Sequence, residues 1–256
     1  AELLDIDIKI GGMWHAGSYD PADFLGRLIG DAPWVRHAER SMFEVFDNNF
    51  FATDFHIDMF CREFGYEKFD LLNTGKASIV GWPMEYIQHE LKEYDNAFKE
   101  DIILFTHRLA PEKQLDIFKD LAETMPEYEW IVCQEQTLTK DEYHALLGRA
   151  KIVFSANTQE TLGISCYEGA LVGANPMVPD RLSYSEMFQG EFLYPSEWTE
   201  DFESYKLNKD LVMAHIRKVL GENDKKLIDL QAHSLTDNFG SGKALYEVIR
   251  GKDNGN

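Results

Sequence analysis

Short apolar runs alternate with longer helical patterns along most of this chain, and the alternation is clearest between residues 98 and 178. The runs "IILFT", "EWIVC", "KIVFSA" and "NPMV" predict buried strands. The stretches between them, "PEKQLDIFKDLAETM", "KDEYHALLGRA" and "LGISCYEGALVG", have the apolar spacing of helices. Strands separated by helices of about ten to fifteen residues predict a parallel sheet that is covered on both faces.

The first part of the chain repeats this alternation less regularly. The runs "DIDIKI", "NNFFAT" and "ASIVG" predict strands, and "PADFLGRLIG", "WVRHAERSMFEVFD", "DFHIDMFCREFG" and "MEYIQHELKEYD" predict helices. From about residue 196 the pattern is helical, and the tail "KDNGN" is predicted to be disordered. We therefore predict an N-terminal lobe at residues 1–97, a second lobe at 98–235, and a C-terminal helix and tail at 236–256.

The charge of the chain restricts its partners. Among 256 residues, 25 are basic and 45 are acidic, which gives a formal net charge of −20. This charge repels a phosphate backbone and disfavours broad nucleic-acid binding. A local basic strip of Arg27, Arg36 and Arg40 could compensate.

Cys61, Cys133 and Cys166 are scattered among apolar neighbours, which is typical of reduced core cysteines. No stretch approaches the roughly 18 apolar residues of a membrane span, and the start "AELLDIDIKI" does not resemble a secretory leader. We therefore predict a cytoplasmic protein. A metal site is not predicted, because C-x-x-C and H-x-x-x-H are absent and strand alternation explains Asp5 and Asp7.

Ligands of a doubly wound sheet bind beyond the carboxyl ends of its strands. This rule selects the loops "THRLAPEK", "CQEQT", "SANTQETLG" and "PDRLSYSE". In the first loop, Arg108 and Lys113 oppose the helix macrodipole, which favours anions at a helix N-terminus. A bound diphosphate would resolve this conflict, since arginine grips two phosphate oxygens and lysine supplies a point charge. Alternatively, both residues are solvated surface groups.

Glu160 and Glu168 lie eight residues apart in "TQETLGISCYEGALVGANPMV". Two other glutamate pairs of this acidic chain share the spacing, but only this pair follows a strand and has a glycine at the helix start and a Gly-x-x-Pro exit. If Gly163 begins the helix, its amides can bind a phosphate. Eight residues span about 12 Å of helix, close to the separation of ribose and sugar in a nucleotide sugar. The alternative interpretation makes Glu160 a helix-start acid and Glu168 a solvated helix residue.

Three stretches in this order, "HRLAPEKQLDIF", "EYHALLGRAKIVFSANTQETLGISCYEGALVGANPMV" and "DRLSYSEMF", resemble the donor lobe of retaining GT-B glycosyltransferases with an E-x7-E motif, also called family 4. The resemblance covers about residues 101 to 190. It implies an α/β, GT-B-like fold with two Rossmann-type lobes, each with a parallel sheet, and a shortened N-terminal lobe. "PDRLSYSEMF" additionally resembles a branch that glycosylates a modified tRNA nucleoside.

The resemblance also implies site residues. The catalytic group would comprise Arg108, Lys113 and Glu160, with the two cations on the donor diphosphate and Glu160 on the donor sugar. The donor site would consist of Arg108, Lys113, Thr161, Leu162, Gly163 and Glu168, with Glu168 on the ribose. This chain departs from the family pattern in one nearby position, because His107 replaces the strand-end glycine that commonly precedes the arginine.

The loop "HAGSYDP" follows a predicted strand and is expected to face the acceptor. Its candidate residues for acceptor contact are His15, Ser18, Tyr19 and Asp20. The competing interpretations are that Asp20, ahead of a proline, caps a helix and that His15 packs or caps.

The resemblance implies a retaining, metal-independent hexosyltransferase that needs no cofactor and uses a nucleotide-diphosphate sugar, UDP- or GDP-linked, as co-substrate. Its acceptor would be a small molecule, a glycan or a nucleoside. Two alternatives stay open: transfer to a hydroxylated base in DNA or tRNA, and a non-catalytic nucleotide-sugar-binding subunit or sensor. In the last case a partner chain would complete the N-terminal lobe, whose first glycine-rich turns the sequence lacks.

Overall fold

The structure, a computed structural model, describes residues 8–28, 30–95, 98–222 and 224–251. The described residues before Met84 and those after Gly240 form one compact unit, and Met84–Gly240 forms the other. The division therefore lies earlier than the predicted boundary near residue 97. The C-terminal helix, predicted as a separate segment, belongs to the first unit because Leu245 packs against Phe50 and Val80.

The first unit contains a small parallel sheet. Its strands are β1 (Gly11–Met13), β2 (Asn48–Phe51) and β3 (Ala77–Ile79), and the helices between them are α1 (Phe24–Leu28), α2 (Trp34–Val45), α3 (Asp54–Phe64) and α4 (Lys68–Asn73). The sheet order is β1-β2-β3, with Met13 opposite Phe50 and Asn49 opposite Ala77. Most of the predicted elements are present. Helix α4 was not predicted, because its six residues are too few to show helical spacing.

The first strand lies just after the predicted "DIDIKI" run, whose first residues, including Asp5 and Asp7, are outside the described part of the chain, as is the tail from residue 252. Gly11 and Gly12 of this strand allow aromatic rings to approach the backbone. A Cβ on Gly12 would lie 2.1 Å from the Phe46 ring. The core beside this sheet is aromatic and comprises Trp14, Tyr19, Phe43, Phe51, Phe60 and Phe64.

The second unit continues the alternation. Its strands are β4 (Glu100–Phe105), β5 (Glu129–Val132), β6 (Ala150–Phe154), β7 (Asn175–Pro179) and β8 (Leu193–Tyr194). Its helices are α5 (Glu85–Leu91), α6 (Leu115–Thr124), α7 (Lys140–Arg149), α8 (Ile164–Leu171), α9 (Tyr184–Met187), α10 (Phe202–Glu222) and α11 (Lys225–Leu235), and α12 (Lys243–Arg250) follows in the first unit. No helix of the described residues is both long and apolar enough to cross a bilayer.

All five strands of the second unit are parallel, in the order β5-β4-β6-β7-β8. The cores of β4, β6 and β7 are buried, as the continuous apolar runs predicted, whereas β5, at the edge of the sheet, is buried only at Val132. The predicted strands β4 to β7 are therefore confirmed, while β8 was missed because two residues carry no periodicity. The three cysteines are buried and unpaired.

The helix predicted to open at "PEK" begins at Leu115 instead. The three residues Pro111–Lys113 form a separate 3-10 turn, and Gln114 adopts a left-handed backbone with φ of 52°. This conformation is uncommon for a residue with a side chain. Here it is stabilised because the Gln114 amide donates to the carbonyl oxygens of Ala156 (2.5 Å) and Thr199 (2.7 Å). The lysine of the turn consequently lies outside the helix.

Arg181 ties the loops beyond β6, β7 and β8 together. Its guanidinium donates to the carbonyl oxygens of Ala156 and Asn157, at 2.7 Å each, and of Ser196 and Thr199, at 3.0 Å each.

We expect Arg181→Met to lower the free energy of unfolding by about 3 kcal/mol, because several partly buried carbonyls lose their donor. Urea unfolding followed by circular dichroism measures this loss.

The matched control is Arg217→Met, which removes an exposed arginine whose nearest acidic partner, Glu127, is 3.6 Å away. We expect it to change the free energy of unfolding by less than about 1 kcal/mol. Equal unfolding midpoints for the two variants would show that Arg181 does not hold the loops together.

Candidate functional site

The carboxyl ends of β4 and β6 border the point where the chain changes direction across the sheet. From β4 the chain moves to β5 on one side, and it then crosses to β6 on the other side of β4. In open parallel sheets this topological switch point is where ligands bind. The loops that follow β4 and β6 are two of the four that the sequence selected, and they carry Lys113 and Glu160.

Lys113 is buried at the end of the 3-10 turn, with 5 % of its surface exposed. Its Nζ donates to the carbonyl oxygen of Gln159 at 2.6 Å and lies 3.3 Å from Oε2 of Glu160. Arg108, in contrast, is exposed and pairs with Glu112 at 2.5 Å. The structure thus brings Lys113 and Glu160 together, which the sequence could not show.

Glu160 is fixed from both carboxylate oxygens. Oε1 accepts from the backbone N–H groups of Thr161 (3.1 Å) and Leu162 (3.4 Å), and Oε2 accepts from the Asn157 amide (3.3 Å) as well as from Lys113. Burial by itself would raise the pKa of Glu160, but the Lys113 charge and the backbone N–H groups outweigh it and lower this pKa. Glu160 is therefore held ionised.

Gly163 is the N-cap of α8, as the sequence predicted for a helix beginning there. Its φ of 71° is left-handed, and an added Cβ would lie 2.6 Å from Cε1 of Tyr184. Thr161 and Leu162, just before it, are buried. A glycine is thus required twice at this position, for its conformation and for its lack of a side chain.

Glu168 lies on the second turn of α8 and is half-buried. Its Oε2 accepts a hydrogen bond of 2.8 Å from the hydroxyl of Tyr143 on α7. Burial raises the pKa of Glu168 above its usual value, although the Tyr143 hydrogen bond and the Lys140 charge oppose this shift. Glu168 is therefore not the solvated helix residue of the alternative interpretation.

Three residues that hold this site were not predicted from the sequence. Tyr184 is fully buried, and its hydroxyl lies 3.0 Å from both the Asn157 amide and Ser155 Oγ. Asn157 in turn reaches Glu160, so the loop after β7 supports the loop after β6. Both loops were selected from their places at strand ends, but no local pattern distinguished Tyr184 or Asn157 within them. Tyr143 lies on the predicted helix α7, whose sequence gives no sign that it contacts Glu168.

The predicted acceptor residues lie in the first unit. Ser18 donates to Glu39 from both its backbone N–H (3.0 Å) and its hydroxyl, and Tyr19 bonds His56 at 2.7 Å. Both side chains are buried. Asp20 is also buried and accepts from the N–H of Ala22, which closes a local turn. The carboxylate that accepts at the start of α1 is that of Asp23, which bonds the N–H of Leu25, so the helix-cap interpretation of Asp20 is wrong.

His15 is the candidate of these four with an exposed side chain. Its ring contacts Trp82 edge-on, with ring centroids 4.2 Å apart. Burial of part of the imidazole lowers the pKa of His15, so the ring is neutral at physiological pH. It can therefore either donate or accept a hydrogen bond.

No protein-family model matches this chain. Among solved structures, it is similar to HepE of Anabaena, in complex with UDP, with a TM-score of 0.59 at 12 % identity over 94 % of this chain and 72 % of that chain. WaaG, a glycosyltransferase of lipopolysaccharide biosynthesis, gives 0.56 at 16 % identity over 90 % of this chain and 70 % of that one.

The pneumococcal O-GlcNAc transferase GtfA, in complex with UDP and GlcNAc, gives a TM-score of 0.58 at 14 % identity, over 94 % of this chain and 51 % of that chain. At such identities the likeness establishes the fold alone. It confirms the GT-B-like α/β class, with parallel sheets in both units and a first sheet of only three strands in the described residues.

Replacing Gly163 tests the local geometry of the site. We expect Gly163→Ala to destabilise the protein by about 1–3 kcal/mol, because the left-handed backbone and the Tyr184 ring both oppose a side chain. Thermal unfolding measures this change. Gly221→Ala on α10 is the control, since a Cβ there meets nothing within 4 Å. An equally stable Gly163→Ala protein would contradict the observed geometry.

Proposed function

We propose that this chain is a glycosyltransferase that binds a nucleotide-diphosphate sugar at the switch point of the second unit and transfers the sugar with retained configuration. One observation carries the proposal. Glu160, which is held ionised, lies just before the N-terminus of α8, and the buried Lys113 of the loop after β4 is 3.3 Å from its carboxylate. This arrangement offers a cation and helix amides to a diphosphate, and a carboxylate to sugar hydroxyls.

Each predicted residue has a role in this proposal. Lys113 and Arg108 bind the diphosphate, and the segment from Thr161 to Gly163 supplies close backbone approach. Glu160 accepts hydrogen bonds from hydroxyls of the transferred sugar, and Glu168 accepts from the ribose. As the bond between the sugar and the diphosphate breaks, negative charge develops on the leaving oxygen, and the fixed cations stabilise it. These cations supply the charge that a metal ion would otherwise provide.

The structural neighbours support the nature of the donor. HepE was solved with UDP and with UDP-glucose, and GtfA with UDP and GlcNAc. A uridine nucleotide is therefore the first donor to test. The acceptor is the component for which the site gives least information, because His15 alone among its predicted contacts is exposed.

A nucleic-acid acceptor is less well supported. Of the proposed basic strip, Arg36 pairs with Glu63 and Arg40 lies over the Tyr66 ring, 5.8 Å from its centroid. With a net charge of −20, these engaged arginines give little excess positive charge for a phosphate backbone. Turnover that falls steeply with added salt would reverse this judgement.

Two substitutions distinguish the proposed roles of Glu160 and Glu168. We expect Glu168→Ala to weaken UDP binding about tenfold, because the ribose loses a charged acceptor. We expect Glu160→Gln to leave UDP affinity within about threefold while lowering turnover at least about 100-fold, since its contacts are to the transferred sugar. Calorimetry with UDP and GDP and release of nucleoside diphosphate from donor sugars measure the two effects.

Glu127→Gln and Glu135→Ala form the matched control, because these two glutamates have the same spacing but lie outside the site, where they pair with the exposed Arg217 and Lys119. Failure of the unaltered protein to bind any nucleoside diphosphate would overturn the proposed function. Nucleotide-sugar binding with no transfer of the sugar, either to an acceptor or to water, would favour the sensor alternative.

The raised pKa of Glu168 predicts the pH dependence of nucleotide binding. Protonation removes the carboxylate charge that accepts ribose hydroxyls, so affinity falls as pH drops through this pKa, and the fall starts at higher pH than for an ordinary glutamate. Glu160 has a lowered pKa and stays ionised in this range. Tyr143→Phe removes a hydrogen bond that opposes the shift, and we expect the fall to begin at still higher pH.

Calorimetric titration with UDP from neutral to mildly acidic pH measures this onset. Tyr128→Phe is the control, since this half-buried tyrosine packs against the hydrophobic core that contains Phe118 and makes no hydrogen bond to Glu168. An onset that is identical in Tyr143→Phe and in the unaltered protein would show that Tyr143 does not tune Glu168.

A further inference from the structure

His107 lies at the centre of the site, although nothing in the proposed chemistry uses it. It follows β4 directly, between Thr106 and Arg108, and 5 % of its surface is exposed. Its Nδ1 lies 3.3 Å from Oγ of Ser165 and 3.5 Å from Nδ2 of Asn157. A buried imidazole with two side-chain partners is positioned by the fold rather than placed there by chance packing.

The two partners of His107 stand at opposite ends of one segment. Asn157 comes just after β6, and Ser165 is the second residue of α8. Between them lie Glu160 and Gly163, which supply the carboxylate and the helix start of the proposed site. A single nitrogen atom therefore reaches both ends of the segment that carries the reactive groups.

The surroundings of the ring keep it neutral and leave its tautomer to its partners. The Asn157 amide nitrogen can only donate, and it shares its two hydrogens among Nδ1 of His107, Oε2 of Glu160 and the Tyr184 hydroxyl. The Ser165 hydroxyl can donate or accept, and when Nδ1 accepts from both partners the ring proton lies on Nε2. Burial, together with the nearby Lys113 charge, lowers the pKa of His107 to about 4, so the ring stays neutral at physiological pH.

We propose that His107 is a positioning residue that joins the two ends of segment 157–165 through Nδ1 and so fixes Glu160 relative to the first turn of α8. This inference rests on the proposed function for its effect on catalysis, but its structural part does not. His107 itself does not contact the reacting atoms in this proposal. It acts through Asn157, whose amide also holds Oε2 of Glu160 at 3.3 Å.

The consequence for catalysis follows from this placement. The donor sugar must be held against the leaving diphosphate within a fraction of an ångström, and small misplacements reduce rates strongly. Nucleotide binding depends more on Glu168, which lies beyond the joined segment. Loss of the His107 contacts should therefore lower kcat while leaving nucleotide affinity nearly unchanged.

Three substitutions distinguish positioning from simple packing. His107→Asn keeps an acceptor oxygen close to the position of Nδ1, His107→Leu removes the acceptor but keeps an apolar volume, and Ser165→Ala removes one donor. His89→Leu on α5 is the control, because His89 is exposed and lies on none of the segments that form the site. All four variants are compared with the unaltered protein by thermal unfolding, UDP calorimetry and donor turnover.

We expect His107→Leu to lower kcat about 30-fold with the dissociation constant for UDP changed less than about threefold. His107→Asn should restore kcat to within about threefold of the unaltered protein. Ser165→Ala should lower kcat less, and its effect should largely disappear in the double variant with His107→Leu, since the two groups act through one contact. Additive effects, or a His107→Asn protein as impaired as His107→Leu, would overturn the inference.

Hydrogen exchange in the ligand-free protein tests the structural part independently of any activity. Peptides that cover residues 157–165 should exchange faster in His107→Leu and at the unaltered rate in His107→Asn and His89→Leu. Unchanged exchange in His107→Leu would refute the joining role. If the unaltered protein bound no nucleotide, the proposed function would fail, and this exchange comparison would still decide the role of His107. If His107→Leu did not fold, Ser165→Ala and His107→Asn would decide it.

Discussion

The buried ion pair between Lys113 and Glu160 is the constraint around which the second unit is organised. A charge removed from water is costly unless an opposite charge and further hydrogen bonds compensate it. Lys113 donates to the carboxylate of Glu160 and to the carbonyl of Gln159. Glu160 additionally accepts from two backbone N–H groups and from the Asn157 amide. The loops after β4 and β6 must both adopt fixed shapes for this compensation to exist.

Several unusual local features serve this requirement. The left-handed Gln114 ends the 3-10 turn early, which places Lys113 beneath the loop after β6 rather than along a helix surface. Arg181 fixes the same loop from the other side by binding the carbonyls of Ala156 and Asn157. Gly163 then turns the chain into α8 without a side chain to collide with Tyr184. Local strain is tolerated here because the surrounding contacts determine it.

The sequence predicted the framework well because burial leaves a simple periodic signal. Strands β4 to β7 and helices α7 and α8 follow from apolar runs and helical spacing, and Gly163 follows from its place between strand and helix. The rule of parallel sheets then selected the edge at which the structure brings Lys113 and Glu160 together. These inferences use only the order of residues along one segment.

The rest of the site depends on contacts between distant segments, for which the sequence has no local pattern. Tyr143 meets Glu168 from a neighbouring helix, and Arg181 reaches loops 18 and 25 residues away. The burial of Ser18 and Tyr19 also depends on partners, Glu39 and His56, in other helices. The acceptor candidates were chosen by loop position alone, and loop position does not show which way a side chain turns.

The two cations of the site differ in a way that matters for an anionic ligand. Lys113 is immobilised by burial, whereas the Arg108 side chain is 52 % exposed and is held by one carboxylate, Glu112. A fixed cation costs no reorganisation when the leaving group develops charge, but it cannot follow a ligand that moves. An exposed arginine can exchange a carboxylate for a phosphate of similar bidentate geometry. In the proposed function, a diphosphate would therefore be recognised first by the exposed arginine and stabilised during departure by the fixed lysine, which would divide capture from catalysis within one loop of eight residues.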